Sequence, residues 1–246
     1  MKSVTRPRYI YGATLFVIFS VFVLSGYVYS LFQSIETEIR NRPSWIDPSL
    51  DKVMQKKQNA SIFLKILHIL FGIFVPFYDS NTELFCSWRK LESHLDDIVK
   101  LLHEKGVKVD HIVGIKSGGA IITKYLAEKL NVEYSYIKVS NKDYQCNKKE
   151  EDFIKEAPSR WMGKKREYMV CEPIDVDLKG KNVLILDEQV SSGVTMQAVI
   201  DYLNNEKYVA QVYPTVITNY RKKKYNYNLL YTSVIRYCVW PWGYDN

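Results

Sequence analysis

Hydrophobic and polar positions along the chain fall into two regimes. From Ile10 to Phe32 no charged side chain occurs, and Leu15 to Leu24 is apolar apart from Ser20. A bilayer core takes about 20 apolar residues, so this stretch reads as a transmembrane helix over about residues 10–32. A second apolar stretch, Ile62–Tyr78, is interrupted by Lys65, His68, Gly72 and Pro76. It is marginal in length for a span and fits equally an interfacial or domain-packed segment. Beyond it the periods shorten. Leu91, Leu95, Ile98, Val99, Leu101 and Leu102 recur at helical spacing within Leu84–Lys105, and Gly106 ends the pattern. His111–Ile115 reads as a short buried strand, Ala120–Leu130 as a helix and Tyr134–Val139 as the next strand. The continuous apolar run Val183–Leu186 predicts a strand buried on both faces, followed by a helix over Met196–Asn204. Val209–Ile217 and Ser233–Val239 add two more strands. Strands alternating with helices predict an α/β domain around a central, mainly parallel sheet flanked by helices.

The chain has 246 residues, 47% of them hydrophobic, enough for one packed domain and an appendage. The division expected is a membrane-anchoring region at 1–78 and an α/β domain at 79–246. Charge sharpens this division. The formal net charge is +7, but nine basic against four acidic side chains fall in residues 1–78, and 25 against 23 in the remainder. The excess belongs with the apolar region and suits a lipid surface, which argues against nucleic acid as a partner. Lys2, Arg6 and Arg8 precede the first apolar run, so the positive-inside rule puts the N-terminus in the cytoplasm. A cleaved signal peptide competes with a retained anchor; the long apolar core and the absence of a small-x-small site favour the anchor. If the second stretch also spans, the domain returns to the cytoplasm; if it does not, the domain lies on the far side. The residues between them, 33–61, read as a loop with short helical pieces. Cys86, Cys146, Cys171 and Cys238 show no metal-ligand spacing and read as buried free thiols of a reducing compartment. His68, His94, His103 and His111 form no cluster.

The chemistry concentrates in Val183–Met196. The apolar strand runs into Asp187 and Glu188, and Ser191-Ser192-Gly193-Val194-Thr195 then leads into a helix. Such a turn aims backbone N–H groups, a helix dipole and three hydroxyls at one point, which suits a phosphate. The adjacent acids suit sugar hydroxyls or a divalent cation. Lys116-Ser117-Gly118-Gly119 follows the first strand, and two consecutive glycines let backbone approach a ligand closely. Right-handed crossovers bring both loops to the same sheet edge.

This pattern resembles the phosphoribosyl-pyrophosphate (PRPP) signature of type I phosphoribosyltransferases: apolar strand, two acids, two residues, then a small/hydroxyl-Gly-x-Thr loop. Ser87-Trp88, the Gly-Gly loop and Val239–Trp242 are similar to xanthine/hypoxanthine-guanine phosphoribosyltransferases. The resemblance covers about Phe85 to Trp242. It implies the type I fold with a small hood and transfer of a phosphoribosyl group from PRPP to a purine-like nucleobase, with pyrophosphate released. By the same likeness Ser191, Ser192, Gly193, Val194 and Thr195 would hold the 5′-phosphate, and Lys116, Ser117, Gly118 and Gly119 the pyrophosphate. Asp187 and Glu188 would hold the ribose hydroxyls, directly or through Mg²⁺. Tyr237 would stack on the base, with Cys238 and Val239 offering backbone groups to its edge. The polar insertion between Ser140 and Asp175 falls where the family has its flexible loop. A homodimer is compatible with the resemblance, and because PRPP is a cytoplasmic metabolite the resemblance favours two spans with the α/β domain in the cytoplasm. Two positions depart from the 6-oxopurine enzymes. Ser191 stands where they carry an Asp, and Thr218 and Asn219 stand where a Lys reads the purine. A non-catalytic PRPP or nucleotide sensor with the same pocket is the alternative, and a scaffold coupled to a membrane effector a third.

Overall fold

In the computed structural model of the protein the described residues are 25–26, 29–30, 33, 37, 41–50, 54, 86–116, 118–141, 168–219, 225–233 and 240–242. The chain divides into two units, Met1–Arg42 and Pro43–Asn246. In the first, the described residues up to Thr37 are helical and exposed. Contacts four apart mark the helix: Gln33 Nε2 donates to Tyr29 Oη at 3.0 Å, and Thr37 Oγ1 to the Gln33 carbonyl at 2.8 Å. Among the described residues no helix is long and apolar enough to cross a membrane. Nearly all of the transmembrane helix expected over 10–32, and all of the apolar stretch 62–78, lie outside them.

The second unit is built on a five-stranded sheet. Its elements are α1 (Trp88–Glu104), β1 (His111–Ile115), α2 (Gly118–Leu130), β2 (Glu133–Asn141), β3 (Tyr168–Glu172), β4 (Asn182–Val190), α3 (Val194–Asn205) and β5 (Gln211–Asn219). The strand order is β3-β2-β1-β4-β5. β1 pairs in parallel with β2 and β4, and β4 with β5, whereas β3 is antiparallel to β2. The mainly parallel α/β fold is as the pattern requires. β3, inside the stretch read as a polar insertion, is an added edge strand. The expected strand Ser233–Val239 lies almost wholly outside the described residues. Just before it, Tyr231 bridges to Thr215. The hood falls outside them too.

Each face of the sheet carries its own core. Leu91, Leu95, Ile98 and Leu102 of α1, with Ile121, Ile122 and Leu126 of α2, pack on Ile112, Leu184 and Leu186. Met196, Val199, Ile200 and Leu203 of α3 pack on Val113, Ile115, Val183, Ile185 and Val216 on the opposite face. Successive strand residues face opposite ways, so Ile112–Ile115 of β1 and Val183–Leu186 of β4 are apolar throughout. α1 starts where the Ser87 side chain accepts from the Lys90 N–H at 3.2 Å, a serine N-cap.

Residues 43–50 and Met54, in a stretch read from sequence as loop, complete the first core. Ile46, Leu50 and Met54 are buried there. Trp45 meets Trp88 and Tyr125 edge-on, at centroid distances of 5.8 and 5.1 Å, and its indole N–H donates to Glu92 at 2.7 Å. The Asp47 carboxylate accepts from Tyr136 at 2.7 Å, Tyr134 at 3.3 Å and the Ser49 N–H at 2.9 Å. Burial opposes its charge, but these hydrogen bonds together outweigh that and hold the carboxyl below its ordinary value of 3.8. A depressed carboxyl stabilises the fold above the unfolded-state value, and the contribution is lost as pH falls through the folded one. Asp47→Asn is therefore expected to lower stability at neutral pH and to flatten the acid limb of unfolding below about pH 4, measured by denaturant titration at a series of pH values.

The cysteines correct the sequence reading in part. Cys86 is a free, buried thiol. Cys171 on β3 is disulfide-bonded, with its partner outside the described residues.

Candidate functional site

Two loops converge at the C-terminal edge of β1 and β4. β1 ends at Ile115, and the Lys116 N–H donates to the Ile137 carbonyl at 2.8 Å, holding the loop against β2. α2 begins at Gly118, two residues earlier than the pattern indicated. Both glycines are required by β4. A Cβ on Gly118 would fall inside the Glu188 carboxylate, and one on Gly119 would overlap the Leu186 carbonyl and come within 2.8 Å of Asp187 Cα. The close approach that two glycines permit is thus made to another strand of the protein. Ser117 lies outside the described residues.

β4 runs on through the acids to Val190, so Asp187 and Glu188 belong to the strand and face opposite sides of the sheet. Glu188 lies on the α2 side and is only 4% exposed. Its Oε2 has no hydrogen-bond partner among the described residues. The start of α2, where a helix dipole favours negative charge, is its immediate neighbour. Asp187 is half-buried on the α3 side, its Oδ1 accepting from the Glu188 N–H at 3.1 Å. Its charge helps raise the Tyr227 phenol above its ordinary range, after burial and Tyr225.

The turn Ser191–Gly193 follows, and Val194 and Thr195 open α3. Gly193 sits at φ 83°, the left-handed region that glycine occupies without strain, and offers no side-chain cap to α3. Ser192 is exposed, and its Oγ accepts from the Val194 N–H at a long 3.4 Å. A helix start that Gly193 leaves without a side-chain cap, beside hydroxyls, is what an anion needs.

Lys116 is already engaged. Its ammonium ion-pairs with Glu172 of β3, whose other oxygen lies 3.4 Å from Lys138. The hydrogen bond from Lys116, against some burial, holds the Glu172 carboxyl below the usual range. Nothing local in the sequence marked Glu172, because its partner is 56 residues away. Tyr225 and Tyr227 were also missed, because the carbonyls they meet lie 34 residues earlier in the chain. Tyr237, Cys238 and Val239 lie outside the described residues. Trp240 and Trp242 beside them stack at 5.4 Å, and Trp242 packs on Trp88 at 5.7 Å. Ser87-Trp88 and the C-terminal Pro-Trp are thus neighbours.

Among the described residues no group of three or more acidic, histidine or cysteine side chains could hold a metal. Mg²⁺ in phosphate sites takes one or two carboxylates and completes its shell with phosphates and water. Because Asp187 and Glu188 face opposite sides of β4, an ion held in that way would take one of these carboxylates, with phosphate and water completing its shell.

The family model of the phosphoribosyl transferase domain matches residues 85–240, more than half of the chain. The chain belongs to the phosphoribosyltransferase family, a class of pentosyl-transferring enzymes. It is 25% identical over 150 residues to an orotate phosphoribosyltransferase of Saccharolobus solfataricus, a match covering 59% of this chain and 65% of that protein. In fold it is similar to a purine phosphoribosyltransferase of Pyrococcus horikoshii Ot3, at 19% identity and TM-score 0.48 over 66% of this chain and 95% of that one. It is likewise similar to the xanthine-guanine-hypoxanthine phosphoribosyltransferase of Helicobacter pylori, at 17% identity and TM-score 0.46 over 64% and 90%.

Proposed function

We propose that the protein transfers the phosphoribosyl group of PRPP to a purine-like nucleobase, releasing pyrophosphate, from a domain tethered to a membrane by residues 1–78. The observation that carries this reading is the meeting of the Gly118-Gly119 loop, the Asp187-Glu188 pair and the Gly193 turn at one sheet edge. The turn's N–H groups and the Ser191, Ser192 and Thr195 hydroxyls receive the 5′-phosphate. Asp187 and Glu188, one on each side of β4, take the ribose hydroxyls. An Mg²⁺ bound with the substrate and held by the Asp187 or Glu188 carboxylate would supply positive charge to offset that building on the pyrophosphate. Lys116 does the same from the first loop once it leaves Glu172, with Ser117, Gly118 and Gly119 offering backbone. In the reaction the bond from ribose C1 to the pyrophosphate oxygen breaks, and one from C1 to a ring nitrogen forms. The base then loses its N–H proton. Ser191 is poor at accepting that proton, so this chain leaves proton removal to solvent or to another group. Tyr237, Cys238 and Val239 receive the base.

Two observations favour a second reading, a PRPP or nucleotide sensor: the serine at position 191 and the occupied Lys116. The experiment incubates full-length protein with PRPP, Mg²⁺ and a panel of hypoxanthine, guanine, xanthine, adenine and orotate, and measures pyrophosphate release. Turnover with a purine supports the enzyme. Thermal stabilisation by PRPP without turnover supports the sensor. Neither turnover nor stabilisation overturns both. A domain facing the cytoplasm, where PRPP is made, requires the stretch 62–78 to span. The disulfide at Cys171 pulls the other way, since such bonds persist in oxidising compartments. Protease protection in sealed membranes decides between them.

A further inference from the structure

We propose that Tyr225 and Tyr227 are positioning residues that fix the Ser191–Gly193 turn in its anion-receiving shape by holding its carbonyls on one side. The inference rests on the phosphate-binding reading of that turn. The two rings are stacked nearly parallel, 5.2 Å apart and 8° off. They occupy the space beside Gly193: a Cβ there would strike the Tyr225 ring and come within 3.0 Å of the Tyr227 hydroxyl. The Tyr227 hydroxyl donates to the Gly193 carbonyl at 3.2 Å. The Tyr225 hydroxyl shares its proton between Asn219 Oδ1 at 2.9 Å, on the last residue of β5, and the Ser191 carbonyl at 3.3 Å.

The consequence follows from peptide geometry. In a planar trans peptide the N–H points opposite to the C=O of the same unit. Holding the Ser191 carbonyl against Tyr225 turns the Ser192 N–H away from the tyrosines. The Gly193 carbonyl, which accepts from Tyr227 at 3.2 Å as well as from the Gln197 N–H of α3 at 3.0 Å, does the same for the Val194 N–H. Both N–H groups are thus turned away from the tyrosines before any anion arrives; the Val194 N–H rests on Ser192 Oγ at a long 3.4 Å, a contact that an anion would replace, and the ligand does not have to order the backbone. The bond to Asn219 ties this arrangement to the end of β5, next to β4, since Val190 pairs with Asn219. Burial, then Tyr225 and then Asp187 push the Tyr227 phenol above its ordinary range, so it stays a protonated donor at physiological pH. Gly193 is needed for two reasons, the left-handed backbone and the ring lying against it.

The test uses full-length protein and ribose 5-phosphate, measured by calorimetry, so that it does not depend on catalysis. Tyr225→Phe and Tyr227→Phe keep the stacked rings and remove one hydroxyl each. Each is expected to weaken ribose 5-phosphate binding about five- to tenfold, and the pair together roughly 30-fold or more. Where turnover is measurable, KM for PRPP rises by similar factors while kcat and KM for the base stay within about twofold. A general loosening of the fold would instead move kcat and both KM values together. Tyr208→Phe, on an exposed ring, serves as the unaffected control. Wild-type protein that fails to bind ribose 5-phosphate overturns the phosphate-site reading itself. Wild-type binding with unchanged affinity in the double variant overturns the role of the tyrosines alone.

Discussion

Glu188→Gln is expected to cut kcat/KM for PRPP by about 10²–10³-fold and yet leave a protein at least as stable as the original. The activity loss follows from the role proposed for the side chain. A carboxylate gripping ribose hydroxyls or a substrate-borne cation makes charge-assisted hydrogen bonds worth about 1.5–3 kcal/mol each, and a neutral amide makes weaker ones. The stability gain follows from position. Glu188 is 4% exposed and one of its oxygens has no hydrogen-bond partner among the described residues. Burying such a group is unfavourable unless it is paired. The start of α2 beside it offers partial compensation. Removing the charge relieves the remainder, so the ligand-free variant should unfold at the same temperature or a higher one. The measurement pairs steady-state kinetics with calorimetric unfolding. Turnover that is unaffected would remove Glu188 from the site, and a large fall in Tm would show that the charge stabilises the fold.

Gly119→Ala is the second large effect, and it acts through the sheet. The added methyl would overlap the Leu186 carbonyl and crowd Asp187 Cα, both backbone atoms of a central strand paired on each side. A flexible side chain could swing aside, but β4 cannot move without disturbing β1 and β5. Overpacking of this kind costs about 1–3 kcal/mol, occasionally more. At the upper end that is roughly 6–12 °C in Tm for a domain of this size. Activity should fall further than stability, because the same shift displaces Asp187 and Glu188. Gly106→Ala provides the comparison. It sits at φ 62° with nothing within 4 Å of the new atom, so only backbone strain of about 1 kcal/mol is expected. A Gly119→Ala protein as stable and active as the original would mean that the loop and strand are not packed as described.

The parts of this molecule that local pattern determines could be read from the chain. Val183–Leu186 had to be a strand covered on both faces, and Leu91, Leu95, Ile98 and Leu102 had to share one helix face. The Asp187–Thr195 signature placed the candidate site because its chemistry is consecutive in sequence. What escaped is non-local. β3 pairs with β2 through an irregularity between Lys138 and Val139, and its five residues carry no clean alternation. Glu172 gains meaning only when the sheet brings it to Lys116. Tyr225 and Tyr227 act on carbonyls 34 residues earlier. The opposite facing of Asp187 and Glu188 became apparent only because β4 continues past them. Residues 45–54 looked like linker because Trp45 and Asp47 find their partners on α1, α2 and β2.

That last feature changes where the folding unit begins. The family match starts at residue 85, but Ile46, Leu50 and Met54 plug one side of the core, and Trp45 seals it beside Trp88 and Tyr125. Excising the catalytic-looking portion at its recognised border would uncover a greasy seam and strand the Tyr134 and Tyr136 hydroxyls without their shared acceptor. Asp47 thus ties the residues just after Pro43 to β2, one strand away from the loop that holds Lys116.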